Sequence, residues 1–280
     1  MKKIKENGII DIIYTNFCII LMILVVLIFT IVYKYITYKK EVQAALETSV
    51  NVEELYNITE AEEAEIIEEE NKKEKDIDSS TSDWELLLVN KNHNVPEGYS
   101  VELEEIEEGH QVDRRIAESL KQMLSDARKQ GLSPIICSSY RTNDKQQKLY
   151  NNKVREYKRW GYNSEEAKEL ASYWVAIPGT GEHETGLAVD IVSRDYQILD
   201  EKQEQTDVQK WLIENSYKYG FALRYPTDKK DITMINYEPW HYRYVGIDNA
   251  TYMKEHDMCL EEYIDYLKQL EEEEYKEIIL

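Results

Sequence analysis

Apolar positions along the chain fall into three regimes. From Ile12 to Tyr33 no residue is formally charged, and Phe17 to Val32 reads FCIILMILVVLIFTIV. At about 1.5 Å of rise per residue, such a run reaches across a hydrocarbon core of about 30 Å and predicts one transmembrane helix over 12–33. The run exceeds the roughly 7–15 apolar residues of a secretory signal. Lys34, Lys39 and Lys40 also precede the small pair Ala44 and Ala45, so the segment reads as an uncleaved anchor. Residues 34–83 offer no apolar face to bury and predict an extended, acidic linker.

Periodic patterns begin at Trp84. The run Leu86 to Val89 stops at a Pro-Glu-Gly turn and reads as a strand entering a loop. Ile116, Leu120, Met123, Leu124 and Ala127 recur at three- and four-residue spacing, predicting an amphipathic helix over 112–128 that Gly131 ends. PIICSSYR reads as a short strand. NDKQQKLYNNKVREYKRWG reads as a second helix with Asn143 as its cap. In GLAVDIV, Leu187, Val189 and Ile191 share one face of a strand and Ala188, Asp190 and Val192 the other. DVQKWLIENSYKYG predicts a third helix closed by Gly220, HYRYVG a late strand, and MCLEEYIDYLKQLEEEE a terminal helix that frays into acid. These elements do not alternate as repeated βαβ units, which favours an α+β domain over a doubly wound one.

Charge sharpens the division. The net formal charge is −21, with +4 in residues 1–40, −12 in 41–83 and −8 in 255–280, which leaves −5 for the middle of the chain. The appendages are solvated acidic segments and the middle is an ordinary globular domain. No broad basic stripe is present, so no nucleic-acid partner is expected. Of three cysteines, Cys18 lies in the apolar run, leaving Cys137 and Cys259 as the one pair available for a disulfide, and there is no C-x-x-C.

Three stretches carry candidate chemistry. In GTGEHETGLAVDI, Asp190 stands in a buried-looking strand, where its carboxylate must be paired, neutral or metal-bound, and His183 precedes it by seven residues. Alone, that histidine reads as an ordinary loop residue and the aspartate as the partner of an Arg or Lys. In YEPWHYRYVG, Glu238 and His241 stand three apart, so the chain must turn at Pro239 before both can serve one site. The alternative is a Trp-anchored structural turn. His183, Asp190 and His241 could supply three ligands to a hydrolytic zinc, with Glu238 as the base. In SSYRTNDKQQKLY, Arg141 ends a strand, where a guanidinium can hold a carboxylate or an oxyanion; a surface salt bridge is the commoner fate.

SSYR, EHETGLAVDI and EPWHYRYVG, in that order and spacing, resemble the VanY-type D-alanyl-D-alanine carboxypeptidases, whose pattern runs S-x-Y-R, S-x-H-x-x-G-x-A-x-D and E-x-W-H. LLLVNKNHNVPEGY and LRYP extend the likeness over residues 84–266. The resemblance implies one zinc held by His183, Asp190 and His241, with Glu238 as catalytic base and Arg141 stabilising the scissile carbonyl. It places Ser138, Tyr140 and Gln146 around the substrate. It also implies an α+β fold with a small antiparallel sheet flanked by helices, shared with Hedgehog-like domains. Gly181 stands where the family usually has Ser, and Glu184 where it often has Gln, two departures that bear on substrate preference and turnover.

The expected organisation is a cytoplasmic tail over 1–11, an anchor over 12–33, a linker over 34–83, a carboxypeptidase domain over 84–266 and an acidic tail over 267–280. Lysines flank the apolar run on both sides, so the positive-inside rule nearly cancels. The usual outcome for an N-terminal anchor places the domain outside the cell membrane. The expected activity there is removal of the terminal D-alanine from peptidoglycan stem pentapeptides. The alternatives are an L,D-carboxypeptidase acting on tetrapeptide stems and a peptidoglycan-binding module without turnover.

Overall fold

The computed structural model describes residues 32–40, 79–107 and 109–279. The expected cytoplasmic tail, nearly all of the anchor and most of the linker lie outside them. Among the described residues no helix is long and apolar enough to cross a membrane. Residues 32–40 are helical, and a second, compact unit spans Asp78–Leu280.

In chain order this unit comprises strands β1 (Leu103–Glu107) and β2 (His110–Asp113), helix α1 (Ala117–Lys129), strand β3 (Pro134–Ser138), and helices α2 (Asn143–Arg159) and α3 (Ser164–Ser172). Strand β4 (Ala188–Ser193), helix α4 (Asp207–Asn215), strand β5 (Phe221–Leu223), the single turn α5 (Lys230–Thr233), strand β6 (His241–Tyr244) and helices α6 (Ile247–Glu255) and α7 (Leu260–Ile279) complete it. β1 and β2 form an antiparallel hairpin, and the other four strands an antiparallel sheet in the order β3-β4-β6-β5. The unit is therefore α+β, as expected.

The period of two sorts the sheet into two chemistries. Val189 and Ile191 of β4 and Tyr242 and Tyr244 of β6 join Leu120, Met123 and Leu124 of α1 and Val208 and Leu212 of α4 in the main core. Asp190, His241 and Arg243 occupy the alternate positions and are nonetheless buried. The first face supplies hydrophobic stabilisation, and the second must satisfy its charges internally. Val154, Ala167 and Ala171 form a smaller core between α2 and α3, with Tyr150 and Tyr157 packed on it.

Three local expectations are corrected. The run Leu86 to Val89 is not a strand: a 3₁₀ turn over Trp84–Leu86 leads into loop, and Leu86 and Val89 are both buried, three residues apart. Helix α1 begins at Ala117 because Val112 belongs to β2 and Arg114–Ile116 form a 3₁₀ turn. The cap of α2 is Thr142, whose hydroxyl accepts from the Lys145 N–H, and Asn143 is the first helical residue. Cys137 and Cys259 are both free.

Candidate metal centre and cleft

The site is assembled across the sheet and one adjoining turn. Asp190 of β4 lies directly opposite His241 of β6 in the antiparallel register, and Ser138 of β3 flanks Asp190 on the other side. His183 arrives on a 3₁₀ turn over Glu182–Glu184. The chain does turn at Pro239: the His241 N–H donates to the Glu238 carbonyl at 3.1 Å, which brings both side chains to one place. Glu238 Oε2 stands 3.7 Å from His241 Nδ1. His183, Asp190, His241 and Glu238 are at most 7% exposed.

Each imidazole has one nitrogen committed elsewhere. His183 Nδ1 lies 2.9 Å from the Ser139 carbonyl, which can only accept, so this nitrogen carries hydrogen and Nε2 faces Asp190 Oδ2 at 3.2 Å. His241 Nε2 faces Glu182 Oε2 at 3.3 Å, and its Nδ1 faces Asp190 Oδ1 at 3.0 Å. The inward atoms of His183, Asp190 and His241 lie within 4.8 Å of one another. Asp190 Oδ1 accepts no well-directed hydrogen bond and is the one buried side-chain polar atom among the described residues left without a partner. Such an orphan costs about 1–3 kcal/mol. Two imidazoles and a carboxylate, convergent and buried, with that free oxygen, fit the three protein donors of a hydrolytic zinc site.

The electrostatics follow from burial and close charges. Burial pulls the His183 pKa down to about 4, helped by the Arg141 charge. Burial would lower His241 too, but the Asp190 and Glu182 carboxylates outweigh it and push the ring up to about 9. Burial opposes ionisation of Asp190, yet His183, His241 and Arg141 hold its carboxyl well below the usual range. Glu238 is pushed up to about 8, chiefly by burial.

Arg141 joins the centre by three bonds: Nη2 donates to Asp190 Oδ2 at 2.8 Å, Nε to Ser138 Oγ at 2.8 Å, and Nη1 to Gln146 Oε1 at 3.3 Å. A cavity of about 330 Å³ opens over these groups, lined also by Trp174, Tyr225, Trp240, Lys153 and Ile235. Arg141 and Gln146 line it; Ser138 reaches it through Arg141. Tyr140 does not line it, and its N–H is tied to the Gln111 carbonyl at 2.8 Å.

The two departures noted in the sequence have local explanations. A Cβ on Gly181 would meet Gln146 and Glu184 atoms no closer than 3.4 Å, so the position leaves room for a small side chain. Glu184 turns from the donors: Oε1 accepts from the Gly179 N–H and Oε2 from Asn143 Nδ2, each at 2.8 Å, fastening the start of α2 to the loop before His183.

Sequence reasoning passed over Glu182, Arg224 and Arg243, all buried beside the donors. A signal existed: an arginine inside each of two strand-like stretches, FALRYP and HYRYVG, requires a buried anion.

Comparison with known proteins agrees with this geometry. The family model for VanY, D-alanyl-D-alanine carboxypeptidase, matches residues 109–247. The D-alanyl-D-alanine carboxypeptidase of Enterococcus faecalis is 47% identical over 183 residues, covering 65% of this chain and 66% of that protein, just under two thirds of its length. A solved vancomycin-resistance D,D-pentapeptidase VanY, a variant from a VanB-type cassette in complex with Zn(II), is 47% identical with a TM-score of 0.60. That alignment covers 65% of this chain and 99% of the VanY chain. The LD-carboxypeptidase LdcB is 39% identical with a TM-score of 0.54, over 64% of this chain and 85% of that one. With a metal-ready donor set lying inside the matched residues, the chain belongs to the VanY family of D-alanyl-D-alanine carboxypeptidases.

Proposed function

We propose that the chain is a zinc D,D-carboxypeptidase that removes the C-terminal D-alanine from peptidoglycan stem pentapeptides, tethered outside the cell membrane by residues 12–33. The observation that carries this is the buried cluster of His183, Asp190 and His241, with its unpartnered Asp190 oxygen, beside Glu238 in the cavity. Zinc would supply Lewis acidity, polarising the scissile carbonyl and making water a nucleophile near neutral pH.

The chain's own groups do the rest. His183 Nε2, His241 Nδ1 and Asp190 Oδ1 are the donors that would hold the ion. Glu238 takes the proton of the attacking water and passes it to the departing D-alanine amine. Arg141, steadied by Ser138 and Gln146, stabilises the oxygen that gains charge as the carbonyl becomes tetrahedral. The tether and linker let the domain reach stem peptides of the wall. Likeness to an LD-carboxypeptidase supports a second reading, removal of D-alanine from tetrapeptide stems.

The test is incubation of the purified chain with pentapeptide and tetrapeptide stems, with and without a chelator, and analysis of the products by mass. Chelator-sensitive loss of one alanine from the pentapeptide is the expected result. Cleavage of the tetrapeptide alone would replace it with the L,D reading. If zinc-loaded protein cuts neither stem, the chain is a binding module of this fold.

A further inference from the structure

Glu182 is fully buried one residue before a metal donor, and its two oxygens face different partners. Oε1 accepts from Arg224 Nε at 2.7 Å and from Arg243 Nη1 at 2.8 Å. Oε2 faces His241 Nε2 at 3.3 Å. Both arginines have other anchors. Arg224 makes a bidentate pair with Glu261, at 2.8 and 2.6 Å, and Arg243 donates to the carbonyls of Tyr244, Glu85 and Leu87 at 2.8–2.9 Å.

Charge neutralisation therefore accounts for Oε1 and leaves Oε2 unexplained. The His241 ring is packed between the Tyr225 ring at 4.7 Å and the His183 ring at 4.9 Å, so its plane is set by its neighbours. Its edge is set by polar contacts alone. A half-turn of the ring would carry Nδ1 away from Asp190 and put a carbon toward the site. A carboxylate clamped by two guanidiniums and accepting from Nε2–H excludes that rotamer, and it fixes the tautomer with the lone pair on Nδ1.

We propose that Glu182 is a positioning residue that holds His241 with Nε2 protonated and Nδ1 turned toward the metal, its own rotation blocked by Arg224 and Arg243. This rests on the zinc reading above. Glu182, at the wall of the cavity, acts through His241, and its loss weakens metal binding. Carboxylates that orient a ligating histidine are generally worth about 10–100-fold in metal affinity.

Three variants and one spectrum test it. Glu182→Asp keeps the charge beside the arginines but is one methylene too short to serve both them and His241. Glu182→Gln keeps the length and loses the charge. Glu261→Gln removes a negative charge from the same cluster without touching His241. Zinc affinity is measured by competition with a chromophoric chelator, alongside the melting temperature and the absorption spectrum of the Co(II)-substituted proteins.

Both Glu182 variants should bind zinc about 10–100-fold more weakly and show a changed Co(II) spectrum. Glu261→Gln should lower the melting temperature yet hold zinc within about threefold of the parent, well short of that loss. Parent-like zinc affinity in both Glu182 variants overturns the proposal, as does an equal zinc loss in Glu261→Gln. The zinc-loaded parent protein gives an answer that needs no variant to fold: long-range ¹H–¹⁵N spectra should show His241 protonated at Nε2, and protonation at Nδ1 overturns the assignment. A parent protein that takes up no zinc at all would instead sink the metal reading on which this one stands.

Discussion

Glu238 sits where burial opposes ionisation, lining the cavity with its Oε2 3.7 Å from the donor His241 Nδ1. A carboxylate so placed is either a fourth ligand or the acceptor of a proton. The His183, Asp190 and His241 atoms already converge without it, and its oxygen stands farther from His241 Nδ1 than Asp190 does, 3.7 against 3.0 Å. Glu238→Gln should therefore retain stoichiometric zinc while kcat falls about 10²–10⁴-fold and KM changes little. Metal analysis and steady-state kinetics on the same preparation decide the matter, because loss of zinc in step with activity would make Glu238 a ligand. Glu184 shows the opposite case, an acidic residue near the centre whose oxygens are both spent on the Gly179 loop and Asn143. Its charge serves to fasten α2.

Strand β4 is the element on which the site depends, and the turn that launches it is held by Gly186. Its φ is +78°, its carbonyl accepts from the Asp113 N–H at 2.9 Å, and an added Cβ would lie 2.9 Å from that same nitrogen. A side chain there costs about 1–2 kcal/mol for the left-handed backbone alone, before the clash is relieved. Gly186→Ala should destabilise by about 2 kcal/mol or more, lowering the melting temperature by about 4–8 °C in a unit of this size. Unchanged melting would show that β2 and the turn give way freely. β4 was legible in the sequence because its period of two places Leu187, Val189 and Ile191 against a core and strands Asp190 on the other face. Helix α3 was not, since it buries only Ala167, Ala171 and Ser172 and gives almost no hydrophobic signal; its capping box at Asn163 and Glu166 was the readable trace. The three donors could be listed from strand pattern and turn chemistry. Glu182 could not be placed, because its partners Arg224 and Arg243 lie 42 and 61 residues away.

At the scale of the whole unit, the site face and the terminal helix share one buried charge cluster. Asn90 Nδ2 donates to Glu261 Oε1 at 3.0 Å, Glu261 pairs with Arg224, and Arg224 with Glu182, so the loop after Trp84, helix α7, the chain just after strand β5 and the metal turn meet in it. Helix α7 is bound further along too, where Glu271 accepts from the Thr81 N–H at 2.8 Å. Burial opposes ionisation of Glu261, but Arg224 and Asn90 more than offset it and hold its pKa below the ordinary value. A carboxyl with a depressed pKa in the folded state contributes stability that is fully present above its unfolded pKa of about 4.3 and is lost as pH falls through the folded value. Urea midpoints should accordingly change little from this contribution between pH 7 and 5 and decline below about pH 4.3. Glu261→Gln leaves Arg224 with half its compensation and should cost about 3 kcal/mol at pH 7, at the low end for breaking a buried pair because Glu182 remains. The same substitution should cost progressively less as the pH is taken below about 4, since the parent then loses the charge that the variant never had. A penalty that stays constant from pH 7 to pH 3 would mean that packing, and not the Glu261 charge, ties α7 to the rest of the unit.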